Sequence, residues 1–290
     1  MKKAFFQLHI AIFLAGFTGV LGRLITLNEG LLVWYRMFFT TIALIFISLI
    51  SKRISIPDRK GIFRLVCIGF IIALHWVFFY GSIKYSNVSV GLVCFSAIGF
   101  FSSLLEPVIL KRRFDAVEVV LGLIVMLGVY LIFHFDQGYR TGILLGIISS
   151  FLAAIFTILN KEMVGKYHPE TISLFELGGG WLGLSFLLPI YLYKFPVSSY
   201  LPSVADTFWL FVLSLLCTVL AFNLSIRSLQ KISPFTVNLS YNLEPVYGIA
   251  LAFLMYQEHR TLGSSFYLGL ILIFLTVVYQ SWRTWAKKTS

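Results

Sequence analysis

Long apolar runs separated by short polar turns make up almost the whole chain. Each run has about 20 mostly apolar residues, the length an α-helix needs to cross the hydrocarbon core of a bilayer. The runs are continuously apolar and do not alternate with polar positions, which is typical of helices and excludes a membrane β-barrel. They predict ten membrane helices, called segments 1 to 10, at 5–27, 30–51, 62–83, 86–110, 115–135, 139–163, 170–193, 206–228, 233–256 and 262–283.

The composition supports an all-α integral membrane protein. Of the 290 residues, 59% are hydrophobic and 12% are charged, whereas soluble domains have about 45–50% apolar and about 25% charged residues. Lys2 and Lys3 before an apolar run are typical of a signal peptide. Because that run is too long and similar runs follow it, we interpret it as a retained first helix.

The basic residues predict the orientation. A net charge of +11 would favour nucleic-acid binding in a soluble protein, but here the charges lie in short loops, where they fix topology. With the N-terminus inside, 17 basic residues are cytoplasmic and five lie opposite, with Arg36 inside segment 2. We therefore expect a multi-pass protein of the inner (plasma) membrane with both termini cytoplasmic.

The two halves of the chain resemble each other. Segment 5 contains a Gly122-Leu-Ile-Val string and segment 10 a Gly269-Leu-Ile-Leu string, and the turns before segments 4 and 9 also correspond. We therefore predict two five-helix repeats, 1–136 and 137–290. Since five is odd, the second repeat enters the membrane inverted, an arrangement common among transporters.

The string Leu-Glu-Pro-Val occurs at 105–108 and at 243–246. If Gly122 is matched with Gly269, Lys111 aligns with Glu258. Glu106 then lies near the cytoplasmic end of segment 4, whereas Glu244 lies near the middle of segment 9. The two glutamates are thus predicted to sit at different depths.

Several short motifs, together with the plan of five plus five helices, carry a family resemblance. They are a glycine-rich segment 1 (Gly16-Phe17-Thr18-Gly19-Val20-Leu21-Gly22), an arginine early in segment 2 (Val33-Trp34-Tyr35-Arg36), the polar turns opening segments 4 and 9, Pro245 inside segment 9, and Glu258 after it. In these features the whole chain resembles the EamA-type branch of the drug/metabolite transporter (DMT) superfamily. It departs from the family pattern at Lys111, where an acidic residue is expected, and in having no proline in the middle of segment 4.

The resemblance implies a secondary transporter working by alternating access. Its expected partners are a small organic solute, often an exported amino acid or other metabolite, and the lipid bilayer, without nucleic acid; a homodimer stays open. The alternatives are an intramembrane lipid-modifying enzyme and a lipid flippase. The sequence contains no nucleophile elbow, zinc motif or P-loop, so we expect neither an enzyme nor a cofactor or metal site.

Ionisable groups inside membrane helices are costly and therefore are functional candidates. Glu244 precedes a helix-breaking proline and has amide and hydroxyl neighbours; it could bind a substrate ammonium or a proton, or be a structural carboxyl group. The substrate-binding candidates are Glu244, Asn238, Tyr241, Asn242, Arg36, Trp76, Tyr80 and Asn223, and the proton-coupling candidates are Glu244, His75 and Glu176.

Each of these candidates also has a structural interpretation. Arg36 could steady a helix end, His75 could be a buried hydrogen-bonded residue, and the aromatic side chains could serve packing. The residues predicted to act as hinges or in close packing are Gly16, Gly19, Gly22, Gly178, Gly179, Gly180 and Pro245.

Overall fold

A computed structural model describes residues 2–51, 54–135, 137–260 and 262–289. Within these ranges all regular structure is helical. Asp136, the predicted end of the first repeat, lies outside the described residues. The helices are α1 (Lys2–Leu24), α2 (Glu29–Ser51), α3 (Arg59–Tyr85), α4 (Val88–Phe95), α5 (Ile98–Ile109), α6 (Ala116–Phe135), α7 (Arg140–Met163), α8 (Pro169–Lys194), α9 (Val204–Ser214), α10 (Ala221–Leu229), α11 (Pro234–Ser240), α12 (Glu244–Tyr256) and α13 (Ser264–Thr289).

Seven helical stretches among the described residues are long and apolar enough to cross a membrane. They are α1, α2, α3, α4 with α5, α7, α8, and α9 with α10. The segments predicted at 115–135 and 262–283 contain shorter apolar helices, Ala116–Leu131 and Ser264–Gln280. The segment predicted at 233–256 is divided between α11 and α12.

Successive membrane-length segments, counting α4–α5, α9–α10 and α11–α12 as one segment each, run in opposite directions, so the bundle has two ends. We call the end with Lys2 the near end and the end with the α1–α2 turn the far end. Contacts along the chain agree with this assignment, because Ser228 donates to the Ala4 carbonyl at one end and the Tyr256 hydroxyl donates to the Val20 carbonyl towards the other.

Polar side chains mark where helices begin. The Asp58 carboxylate accepts from the Gly61 N–H and caps α3, and the Tyr167 hydroxyl also donates to it at 2.8 Å. The Tyr167 hydrogen bond lowers the pKa of Asp58 below its usual value. Ser203 opens α9 through a capping box with Asp206, which satisfies backbone groups that a helix end would otherwise leave unpaired.

Two residues with left-handed backbone give the register of the repeat. Lys111 (φ 52°) follows the end of α5 and Gln257 (φ 54°) follows the end of α12. Lys111 lies 23 residues after Val88, where α4 starts, and Gln257 lies 23 residues after Pro234, where α11 starts. The predicted alignment of Lys111 with Glu258 is therefore wrong by one residue, because it was based on matching Gly122 with Gly269 in the helices that follow. Arg112 occupies the position of Glu258.

The two halves interlock through α4 and α5 on one side and α11 and α12 on the other. Helix α5 runs antiparallel to α11, with Ser102 accepting from Asn238 at 2.7 Å, and α4 packs on α12. Both composite helices break near mid-length, α4–α5 at Ser96 and Ala97 and α11–α12 at the 3₁₀ turn Tyr241–Leu243.

A hydroxyl group of α7 supports the first break, together with the local N–H groups of Ser96 and Ala97. Ser150 in α7 donates at 3.0 Å to the Cys94 carbonyl and at 3.1 Å to the Phe95 carbonyl. Backbone groups freed inside a membrane need such partners because lipid offers none. The Ser150 hydroxyl therefore allows α4 and α5 to change direction within the bundle.

The predicted small residues lie where helices approach closely. A Cβ atom on Gly16 would lie 2.8 Å from the Tyr247 Cβ in α12, and one on Gly22 would overlap the Tyr80 ring. A Cβ on Gly179 would lie 2.8 Å from the Val66 Cα, and one on Gly180 would overlap the Gly69 carbonyl. A Cβ on Gly19 would lie 3.2 Å from the Val88 Cγ1. Pro245 lies in the first turn of α12. These contacts place the glycines in helix packing; their hinge role stays a prediction.

Replacing Gly180 with alanine should destabilise the fold. The added methyl group would force α8 away from α3, and overpacking of this kind costs roughly 1–3 kcal/mol. We expect a lower thermal midpoint in detergent, measured by intrinsic fluorescence. Gly178→Ala is the matched control, because its Cβ would meet Thr41 at an ordinary 3.4 Å. Equal midpoints for the two variants would contradict the close-packing role.

Candidate functional site

A cavity lies between the two halves near the middle of the bundle. Its volume is about 90 Å³, enough for several water molecules and smaller than the ~300–1,000 Å³ of typical small-molecule pockets. The two halves meet in its wall. The lining includes six of the predicted site residues, namely Arg36, His75, Trp76, Asn238, Tyr241 and Glu244.

Arg36 is buried at 2% exposure and is held by several partners. Its Nη1 donates to the Tyr80 hydroxyl at 2.7 Å and its Nε to the Thr218 hydroxyl at 2.8 Å. The guanidinium also stacks on the Trp76 ring, with 3.7 Å from Cζ to the ring centroid. Trp76 and Tyr80 therefore act first as partners of this cation, as their four-residue spacing on one helix face permits.

A π-helical stretch, Leu215–Leu220, separates α9 from α10 and supplies the other contacts of Arg36. Within it the Thr218 hydroxyl donates to the Leu213 carbonyl at 2.8 Å while accepting from Arg36. One residue before the stretch, Ser214 donates to the Arg36 carbonyl at 3.1 Å. Such bulges often occur at functional sites, and this one fixes Arg36 through both backbone and side chain.

Glu244 begins α12 immediately after the second helix break. It is 3% exposed and lines the cavity, and no donor among the described residues forms a hydrogen bond with its carboxyl group. Arg36 is near enough for electrostatic attraction. The backbone beside it offers no donor to this carboxyl group either, because Pro245 has no N–H and the Glu244 N–H donates to the Tyr241 carbonyl. The carboxyl group is thus available to a ligand or a proton.

The 3₁₀ turn between α11 and α12 separates three residues that the sequence places on one face. Asn238 and Tyr241 line the cavity. Asn242 lies instead toward Gly99 at the opposite break, and neither its amide oxygen nor its nitrogen has a hydrogen-bond partner among the described residues. Asn242 was a substrate-binding candidate, but it does not line the cavity, because the tighter turn changes the helical rotation.

His75 faces the cavity but is tied to α7. Its Nδ1 lies 2.8 Å from the Ser149 hydroxyl and 3.0 Å from the Ser149 carbonyl. Rings of Phe79, Phe95 and Phe156 surround it, with centroids 5.4–6.2 Å away. The imidazole therefore joins α3 to α7 and presents an aromatic wall to the cavity.

Besides Asn242 and Tyr80, two more predicted residues lie outside the cavity wall. Asn223 accepts from Ser173 at 3.2 Å and donates to the Val219 carbonyl at 2.8 Å, joining α10 to α8. Glu176 is fully buried behind Asn160, whose Nδ2 donates to it at 3.2 Å. Asn160 itself lines the cavity, so Glu176 reaches the cavity only through that amide.

At the far end, Glu258 of the second half holds the start of α4 in the first half. Its carboxylate accepts from the Val88 N–H at 3.1 Å, the Ser89 N–H at 2.9 Å and the Ser89 hydroxyl at 2.6 Å. It also forms an ion pair with Arg23. We call this group the far-end clamp. A carboxylate at a helix N-terminus is favoured by the helix dipole and the unpaired N–H groups.

At the near end the relation between the halves is reversed. Glu106 of the first half accepts from the Phe235 N–H at the start of α11, at 2.5 Å. Arg112 approaches the same carboxylate at 3.1 Å and also pairs with Glu118. We call Glu106, Phe235 and Arg112 the near-end clamp. Each end of the bundle is thus closed by a carboxylate of one half on a helix start of the other.

The comparisons with known proteins agree with this architecture. The model of the EamA-like transporter family matches residues 2–134 and 140–281. The chain belongs to this family. It is therefore a multi-pass membrane protein of a transporter family, and the two matched ranges are its two EamA repeats.

Individual relatives add limited detail to this EamA-like protein. An uncharacterized transporter from Archaeoglobus fulgidus is 30% identical over 127 residues, which cover 44% of this chain and 45% of the relative. The match thus spans less than half of that relative. A solved crystal structure of another protein has a TM-score of 0.69 at 13% identity, covering 94% of this chain and 95% of the other, and shows the fold alone.

Arg36→Lys should destabilise this EamA-like protein although the charge is kept. An ammonium group cannot bond Tyr80 and Thr218 together while stacking on Trp76. We expect a loss of roughly 1–3 kcal/mol in the free energy of unfolding, the cost of buried polar groups left unpaired, measured by unfolding in sodium dodecyl sulfate. Arg59→Lys, at an exposed position, is the control. Unfolding curves that coincide for both variants would contradict a structural anchor at Arg36.

Proposed function

We propose that this protein is a secondary transporter that exports small organic metabolites, such as amino acids, by alternating access. The observation that carries the proposal is Glu244, a buried carboxyl group without a hydrogen-bond partner among the described residues. It lies at the start of a broken helix beside a cavity formed by both halves. Broken helices whose ends face a midplane site are typical of secondary transporters.

The site suits a solute that has both a charged group and an apolar part. Glu244 offers a carboxylate to an ammonium group, and Arg36 provides a cation on the opposite half. Phe79, Phe95 and Phe222 supply apolar wall. Tyr241 and Asn238 add polar groups, so the lining supports the amino-acid class without selecting one member.

In this proposal all ten segments cross the inner membrane and the near end is cytoplasmic. The excess of Lys and Arg at the near end supports this orientation. The three segments without a single long apolar helix cross as α6, α13 and the pair α11 and α12. Their ends alternate between the near and far sides in step with the other helices.

The two clamps are proposed to serve as gates. Both clamps bind the α4–α5 and α11–α12 pairs that flank the cavity, and both consist of hydrogen bonds that water can replace. Opening the far-end clamp would free the start of α4, whereas opening the near-end clamp would free the start of α11. Glycines in α1 and α8 are the proposed points of movement.

Counterflow in proteoliposomes tests the function. Vesicles loaded with a mixed pool of amino acids and small metabolites should exchange one class of labelled compound, whereas empty liposomes should not. Glu244→Gln should reduce exchange by roughly tenfold or more, the expected effect of losing a charge-assisted hydrogen bond. Glu162→Gln, at a half-exposed side chain beside Arg64, should leave exchange unchanged.

Two outcomes would contradict this proposal. If no compound of the pool exchanges and a labelled phospholipid moves between leaflets, the protein is a lipid flippase. If Glu244→Gln exchanges as fast as the unmodified protein at every pH, the carboxyl group is not part of the transport site.

Cys217 allows the gates to be tested separately, because it lines the cavity. In a variant with Cys67→Ala and Cys94→Ala, a membrane-impermeant thiol reagent reports access to Cys217 from either side. Glu258→Gln should speed modification from the far side, because a glutamine amide oxygen accepts hydrogen bonds from the N–H groups at the start of α4 more weakly than a carboxylate does. Glu106→Gln should speed modification from the near side.

The parent variant with both glutamates is the control for these rates. Equal modification rates in all three proteins, from both sides, would identify the clamps as permanent helix caps. A change from the same side in both variants would contradict separate gates.

A further inference from the structure

The environment of Glu176 is unusual for an acidic residue. Its side chain is 0% exposed, and the α8 backbone at this residue is in such close contact with α3 that a Cβ on Gly69 would overlap the Glu176 carbonyl oxygen. Water is therefore excluded on the α3 side. One carboxyl oxygen, Oε2, accepts from the Asn160 amide at 3.2 Å, whereas Oε1 has no partner among the described residues.

No cation compensates this carboxyl group within the part of the chain that the structure describes. The ionisable groups on the helices around it are engaged elsewhere or lie at the surface. They are Arg36 with Tyr80 and Thr218, His75 with Ser149, Lys161 with the carbonyls of Leu229 and Ile232, Arg64 with Glu162, Arg227 with Glu170, and Cys67, which is exposed.

An ionised carboxylate in this position would be buried with a single neutral hydrogen bond. Burial of an uncompensated charge is far more costly than burial of a neutral group. The neutral acid has an O–H, and the Asn160 Oδ1, which belongs to the same amide and also has no partner among the described residues, is an acceptor. The arrangement thus fits a carboxylic acid beside an amide better than a carboxylate.

Asn160 connects this acid to the cavity. Its side chain forms part of the cavity wall and at the same time contacts Glu176. Thr157, one turn earlier on α7, also lines the cavity. Asn160 therefore lies between Glu176 and the cavity, on a different side of Glu176 from the packed α3–α8 interface.

We infer that Glu176 and Asn160 form a proton-binding site separate from the solute site at Glu244. The proton rests on the Glu176 carboxyl group in the conformation seen here. It leaves when water reaches the Asn160 side of the cavity, and the carboxylate then keeps the hydrogen bond from the Asn160 amide N–H. The inference rests on the proposed transport function only for its coupling role, because the bound proton is itself measurable without any solute.

Infrared spectroscopy of the purified, reconstituted protein tests the site directly. Near neutral pH the unmodified protein should show the C=O stretching band of a neutral carboxylic acid, and Glu176→Gln should remove it. Asn160→Ala removes one hydrogen bond from the ionised form but two from the neutral acid, whose O–H the Asn160 Oδ1 would accept. The band should therefore disappear at lower pH in that variant, by about one pH unit for one net hydrogen bond.

Glu244→Gln, Glu106→Gln and Glu162→Gln are the controls, because each removes one other carboxyl group. A band that Glu176→Gln leaves unchanged would overturn the inference. So would a band in Asn160→Ala that disappears at the same pH as in the unmodified protein. Thermal midpoints show whether each variant is folded, and the conservative Glu176→Gln change keeps the volume of the side chain.

A transport measurement separates the two proposals. For a solute that exchanges in counterflow, two rates are measured: accumulation driven by a proton gradient, and counterflow without one. The ratio of the first to the second should fall roughly tenfold in Glu176→Gln, because glutamine cannot release and rebind the coupling proton. An unchanged ratio would overturn the coupling role while leaving transport intact. Absence of counterflow in the unmodified protein would reject the transport proposal, and the infrared result would still decide whether Glu176 holds a proton.

Discussion

The hydrocarbon interior offers no hydrogen bonds, and the whole arrangement depends on that constraint. Several places where a helix starts, breaks or bulges inside the bundle have a polar side chain of another helix against them. Ser150 satisfies the carbonyls at the α4–α5 break, and Arg36 bonds the π-helical stretch at Thr218. Glu258 and Glu106 satisfy the helix starts at the two ends. Irregular backbone beside the cavity can therefore form hydrogen bonds that lipid would not provide.

The same constraint divides the buried ionisable groups into two kinds. Arg36, Glu106 and Glu258 are surrounded by partners, so they contribute to the structure wherever else they act. Glu244 and Glu176 have one hydrogen bond or none to their carboxyl groups among the described residues, so their protonation is free to respond to a ligand or to water. The distinction follows from the number of donors around each group and not from its depth in the membrane.

Much of the fold followed from the sequence, because apolar runs of membrane length are long and continuous. The position of Arg36, a break close to Pro245 and the different depths of Glu106 and Glu244 could also be predicted. The π-helical stretch could not, since Leu215–Leu220 is as apolar as its neighbours. Asn242 and Asn223 were predicted to bind the substrate because they are polar residues inside membrane segments. The 3₁₀ turn and the Ser173 hydrogen bond direct them elsewhere, which periodicity alone cannot show.

The clamps show how a duplicated protein can keep a role while moving the residue that performs it. Glu258 follows the end of α12, whereas Glu106 lies six residues earlier in the register of its own half, since 258 − 234 is 24 and 106 − 88 is 18. Arg112, with the opposite charge, occupies the position equivalent to Glu258. In a dimer of identical halves, a mutation in one clamp would change both ends of the bundle together. Divergence of these positions in a fused chain allows natural variation to change the two ends independently.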